Sequence, residues 1–133
     1  MGFRETMSRI FSTRTETGEE HPVKELQTRY YKTTKDKAMR TIEQVLTQQG
    51  LTIKRSEDDR GEIVAQTKSG KKLLLVASII TVKPYRTAVD FSCATETVLP
   101  SDFGYSRKFI LALYQKLDQE LTYVGSALGH ELL

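Results

Sequence analysis

Between Leu51 and Cys93 the sequence runs through four extended segments in a row, separated only by short turns. Leu51-Thr52-Ile53-Lys54-Arg55 alternates apolar and polar residues, Glu57-Asp58-Asp59-Arg60-Gly61 has turn chemistry, and Glu62 to Thr67 is extended again. Lys68-Ser69-Gly70-Lys71 turns the chain into Leu73–Val82, which is apolar at both parities. That is the pattern of a strand covered on both faces or central in its sheet. Lys83-Pro84-Tyr85-Arg86 breaks the run, because proline has no amide to give to a ladder. The next segment places Val89, Phe91 and Cys93 on one face and Asp90 and Ser92 on the other, so Cys93 points into the core. Strands joined by turns this short pair as antiparallel neighbours, which makes the centre of the chain a meander.

The flanking segments are helical. Upstream, Leu26 to Lys32 is rich in Thr and Tyr and reads as a strand, followed by a capping box in Thr33-Thr34-Lys35-Asp36. Ala38, Ile42, Val45 and Leu46 then recur at helical spacing, and Gly50 is placed to end the helix in the left-handed conformation. The expected limits are Thr34 and Gln49. Downstream, Pro100 stops the last strand, Ser101 or Asp102 caps, and Phe109, Ile110, Leu113, Leu117 and Leu121 carry a second amphipathic helix to about Tyr123. Both helices must bury their stripes on the same side of the sheet. The expected fold is a two-layer α+β domain of order β-α-β-β-β-β-α, an arrangement shared in topology with TATA-binding-protein-like folds and with reduced helix-grip folds.

At 133 residues the chain has room for one core. Residues Met1 to Lys24 are dominated by Thr, Glu, Arg and Ser, and Thr13 to Pro22 has no period, so 1–24 is expected as a flexible segment, 25–123 as the domain, and 124–133 as a loosely docked tail. Twenty basic residues against seventeen acidic ones give a net charge of +3, a slight and interspersed surplus that permits nucleic acid without indicating it. One cysteine, Cys93, excludes an internal disulfide, and with only His21 and His130 beside it the ligand set for structural zinc is missing. A reducing, cytoplasmic setting is expected. The first thirty residues lack an apolar core of signal-peptide length, and no stretch approaches eighteen apolar residues.

No catalytic constellation stands out. Cys93 needs an imidazole to form a thiolate nucleophile, and both histidines fall outside the strands and helices. Glu57, Asp58 and Asp59 suit a solvated turn better than an acid–base pair or a metal site, and the EF-hand and Gly-rich phosphate-binding patterns are absent. The expectation is therefore a non-enzymatic binding or scaffolding domain with no cofactor and no metal. Leu74, Val76 and Ile80, on the face left open by the helices, are the candidate interface for self-association or a protein partner. One alternative is a carrier holding an apolar ligand between the closing helix and the sheet. A weaker one is nucleic-acid binding through Lys68, Lys71 and Lys72 or through Lys83, Tyr85 and Arg86, clusters that serve equally as a solubilising rim.

A second candidate contact lies at the start of the chain. Phe3, Met7, Ile10 and Phe11 share one helical face, with Arg4 and Arg9 elsewhere. A segment this short needs a surface to fold against, whether a membrane, a partner groove or the domain's own sheet.

Finally, Ser101-Asp102-Phe103-Gly104, followed by Arg107 and Ile110, resembles the helix entry of the uncharacterised bacterial proteins grouped as domain-of-unknown-function family 1499, in particular their small cytosolic Bacillus-type members. The resemblance extends from Leu26 to Leu121 and includes Tyr30-Tyr31, Lys37-Ala38 and Arg60-Gly61-Glu62-Ile63, with Phe103 where leucine is the more usual residue. It implies the strand–helix order and transfers no catalytic residue. Physically, Ser101 and Asp102 suit a helix cap, Gly104 a close approach to the sheet, and Arg107 a partner for Asp102.

Overall fold

The meander expected from Leu51 onward is present as β3 (Leu51–Glu57), β4 (Glu62–Thr67), β5 (Leu73–Lys83) and β6 (Arg86–Thr95), each antiparallel to the next. The computed structural model describes residues 13–68, 72–95 and 105–126. Within them, β1 (Thr13–Glu16), β2 (Arg29–Tyr31) and β7 (Tyr123–Ser126) complete a seven-stranded antiparallel sheet of order β3-β4-β5-β6-β2-β7, with β1 also bonded to β6. Helices α1 (Lys35–Gln48) and α2 (Tyr105–Glu120) cover one face, which makes the fold α+β. Helix α1 carries the chain from β2 across the meander to its far edge, and α2 carries it from β6 to the outer side of β2.

One apolar cluster joins the layers. Ala38, Met39, Ile42, Val45 and Leu46 of α1 and Ile110, Leu113, Tyr114 and Leu117 of α2 meet Ile63, Ala65, Leu73, Leu75, Ala77, Ile79, Val89, Phe91 and Cys93 from alternate positions of three strands. Truncating a fully buried member such as Ile42 or Leu75 to alanine costs about 2–5 kcal/mol.

Four expectations are corrected. Thr13–Glu16, taken as linker, pairs with Ser92–Thr95 of β6. The pairing is made by backbone amides and carbonyls, so no apolar alternation was needed to specify it. Leu26 belongs to a 3₁₀ turn, Lys24–Leu26, and the strand after it is only Arg29–Tyr31. The cap of α1 is Thr34, whose hydroxyl accepts from the Lys37 amide at 3.2 Å, while Thr33 is buried and its carbonyl accepts from the Thr87 hydroxyl at 2.8 Å. Helix α2 ends at Glu120 rather than Tyr123, because Tyr123 and the first residues of the expected tail, to Ser126, turn back to satisfy the outer edge of β2.

Among the described residues two glycines have positive φ, and they differ in what surrounds them. Gly50 (φ 89°) ends α1 in open space, whereas a Cβ on Gly61 (φ 66°) would stand 2.0 Å from the Ile79 carbonyl oxygen, where the β3–β4 turn lies on β5. Gly50→Ala should cost about 1–2 kcal/mol through backbone strain alone. Gly61→Ala must add displacement of β5 and cost clearly more. Urea unfolding of the two variants checks this, and equal losses would contradict the packing at Gly61.

Candidate functional site

Register fixes which residues lie on the face opposite the helices. Leu74, Val76, Ser78 and Ile80 of β5 align with Ala94, Ser92, Asp90 and Ala88 of β6, and Val64 of β4 aligns with Val76. The sequence-predicted trio is thus on one face: Leu74 and Val76 are half-buried and Ile80 is 59 % exposed. Of the two readings offered for the doubly apolar β5, covered on both faces or central in its sheet, the structure shows the second: β5 lies between β4 and β6, with Leu73, Leu75, Ala77 and Ile79 fully buried on the helix side and Leu74 and Val76 half-buried on the other. Around the apolar stripe the face is polar and charged on both signs. Arg55 binds Glu57 at 2.9 Å and Glu62 at 2.6 Å.

The edge of β6 holds a seam that the sequence did not reveal. β1 and β2 pair with two stretches of the same edge, and the chain between them leaves the sheet. Side chains close the break. The Thr17 hydroxyl accepts from the Phe91 amide (2.8 Å) and donates to Asp90 Oδ1 (2.7 Å), which also accepts from the Thr28 hydroxyl (2.8 Å). From the helix side, Tyr114 donates to the Val89 carbonyl at 2.9 Å.

Beside this seam, Arg29 of β2 lies between the rings of Tyr114 and Tyr123, 4.8 and 4.9 Å from their centres, and pairs with Asp118 of α2 at 2.7 Å. Asp118 also accepts from the Tyr31 hydroxyl at 2.8 Å. Stacked, ion-paired arginine fastens both α2 and β7 to β2. Thr17, Arg29, Asp90 and Tyr114 are the residues that sequence reasoning missed. Of these only Asp90 carried a signal, a polar residue alternating with Val89 and Phe91.

A third feature is the β5–β6 turn. Lys83 and Arg86 are register partners, so Pro84 and Tyr85 form its centre. Tyr85 has φ 58° and is 63 % exposed. Type II turns put Gly or Asn at that second position, and a Cβ-bearing residue there costs about 1–2 kcal/mol.

Of the other candidates, Phe3, Arg4, Met7, Arg9, Ile10 and Phe11 lie outside the described residues, as do Lys71, Ser101, Asp102 and Gly104. Arg107 is described and pairs with Glu25 at 3.5 Å. Cys93 is fully buried. His21 Nδ1 accepts from the Val23 amide at 2.9 Å. The acidic turn is tied up by arginines, Glu57 by Arg55 and Arg60 and Asp58 by Arg40. Among the described residues no three His, Cys, Asp or Glu side chains are arranged to hold a metal, and no helix is long and apolar enough to cross a membrane. A groove of about 500 Å³ lies between α1 and the β3–β4 turn, lined by Arg40, Ser56 and Glu57 to Arg60. The space between α2 and the sheet is occupied by Ile110, Leu113, Tyr114 and Leu117.

A scan against protein-family profiles finds no match, and a search of the curated proteins finds none either.

Burial raises the Tyr31 phenol above the ordinary tyrosine range, and its bond to Asp118 raises it further. Burial likewise raises Tyr114, with the charge of Asp90 adding to it, and Tyr30, whose hydroxyl binds Glu19. The unfolded chain releases these protons near pH 10 and the folded chain only later. The stabilising contribution is therefore complete below pH 10 and is lost as pH rises above it, by about 1.4 kcal/mol per pH unit for each of Tyr31 and Tyr114. In an alkaline titration, part of the tyrosinate absorbance should appear only together with loss of the circular dichroism signal. Full absorbance near pH 10 with the fold intact would contradict this.

Proposed function

We propose that this chain is a non-catalytic binding domain that associates with a second copy of itself through the sheet face opposite the helices. The observation that carries the reading is the placement of Leu74, Val76 and Ile80 on that face with Ile80 59 % exposed. Sheets pack face to face through such inner stripes, about 10 Å apart. The surrounding charges support like-with-like pairing. Arg55, Glu57 and Glu62 offer both signs on one surface, as a two-fold interface requires, since each patch must meet its own copy. A single buried thiol, Cys93, suits a reducing compartment.

Ile110, Leu113, Tyr114 and Leu117 of α2 fill the volume that an apolar ligand between this helix and the sheet would need, which favours association over the carrier alternative. The pairing of the Glu57 and Asp58 carboxylates with arginines supports the non-catalytic reading.

Light scattering at tens of micromolar should give twice the 15.1 kDa chain mass. Ile80→Glu or Val76→Lys should return the chain mass itself, with the melting temperature within a few degrees of the parent, because these side chains do not enter the helix-side core. A monomer at every concentration would overturn the reading. So would a dimer indifferent to both substitutions.

A further inference from the structure

We infer that the β5–β6 turn is a contact site for an anionic lipid surface, with Tyr85 as its interfacial anchor and Lys32, Lys83 and Arg86 as its cations. Three observations converge there. The first is Tyr85 itself, a large exposed aromatic residue at the extremity of a hairpin. The second is its backbone: φ 58° strains a Cβ-bearing residue where glycine or asparagine would be less strained, so the turn conformation does not select a tyrosine at this place. The ring makes no aromatic contact with Tyr31, Phe91, Tyr114 or Tyr123, which stack among themselves or on Arg29.

The third is charge. Arg29, Arg40, Arg55, Arg60 and Arg107 are all ion-paired. Arg86 instead donates to the Tyr85 carbonyl at 3.0 Å, and among the described residues neither it nor Lys83 nor Lys32 meets a carboxylate. Lys32 follows Tyr31, whose partner on β6 is Thr87, so it stands beside Arg86 at the same end of the sheet. Lys83 and Lys32 are exposed and Arg86 is half-buried.

The shape selects the occupant. Single-stranded nucleic acid needs a groove that tracks a backbone and several stacking platforms, and here one ring stands on a protruding turn. A flat surface meets such a tip. Tyrosine settles at the headgroup level of a bilayer, with its ring toward the acyl chains and its hydroxyl in water. Each lysine or arginine near an anionic leaflet strengthens partitioning by about fivefold at moderate salt. The contact uses the end of the sheet, whereas the self-association surface uses its open face, so the two are separable.

Co-sedimentation of the full chain with vesicles tests the assignment. Vesicles of phosphatidylcholine with about one-third phosphatidylglycerol should bind the chain, vesicles of phosphatidylcholine alone should not, and binding should weaken as salt screens the cations. Lys83→Gln with Arg86→Gln should lower partitioning roughly 25-fold, two cations at about fivefold each. Tyr85→Gly should also weaken it several-fold while melting at or above the parent temperature, because glycine relieves the left-handed strain; this variant separates lost binding from lost folding. Absence of binding to the anionic vesicles would overturn the proposal. Equal binding by parent and variants would do so too, by placing the contact elsewhere on the chain. Tyr85-dependent binding of single-stranded DNA or an acidic peptide, without vesicle binding, would overturn it in favour of that ligand.

Discussion

Strand β6 has two edges to satisfy, and only one of them is met by its hairpin partner. β5 pairs along almost the whole of it, from Leu73 opposite Thr95 to Lys83 opposite Arg86. The other edge is met by two pieces that are far from it in the chain, β1 at Ser92–Thr95 and β2 at Thr87–Val89, with a gap between. An unpaired amide buried in that gap would cost about 1–3 kcal/mol. Thr17 removes the cost by lending its side-chain oxygen to the Phe91 amide, while its own amide donates to the Phe91 carbonyl at 2.8 Å. The hydroxyls of Thr17 and Thr28 then share Asp90, so both ends of the excursion are tied to the strand they leave. Without this seam β1 and β2 are held to β6 only by the short ladders of Thr13–Glu16 and Arg29–Tyr31, and the Arg29 stack that anchors α2 loses support.

The seam also accounts for the two-sidedness of the domain. Arg29, Tyr31 and Tyr114 draw α2 onto the helix side, where Asp118 receives both Arg29 and the Tyr31 hydroxyl. Helix α1 fills the rest of that side over β3, β4 and β5. Both helices are committed to the same layer, and the stripe of Leu74, Val76 and Ile80 is left on the other. The strained Tyr85 turn lies at the end of this sheet, where β5 outruns its pairing with β4. The surfaces proposed for recognition are thus those that the fold leaves over, and the polar network at the seam serves to hold the fold.

Most of the architecture was legible because it rests on period. The alternation of Val89, Phe91 and Cys93 and the i, i+4, i+7 stripe of α1 each state which side is buried, the double-parity run of β5 marks a central strand, and the structure places them so. The open-face trio followed from the same logic. What escaped were features without period. β1 and β7 are four-residue edge strands held by backbone bonds, and Thr13-Arg14-Thr15-Glu16 carries no apolar residue to mark it. Two adjacent threonines, Thr33 and Thr34, are chemically equal as caps, and only the burial of Thr33 against β6 decides between them. Tyr114 and Asp90 were visible as a helix residue and an outward strand residue, but their meeting through the break in the sheet depends on contacts about 25 to 97 residues apart in sequence.

Hydrogen exchange at the Phe91 amide tests the seam most directly, because its acceptor is a side chain rather than a neighbouring strand. The account predicts exchange as slow as that of the β6 amides paired with β5, limited by global unfolding. It predicts fast exchange by local opening in Thr17→Ala, with the β5–β6 amides still protected. Fast exchange of Phe91 in the unmodified chain, or no change on removing the Thr17 hydroxyl, would contradict it.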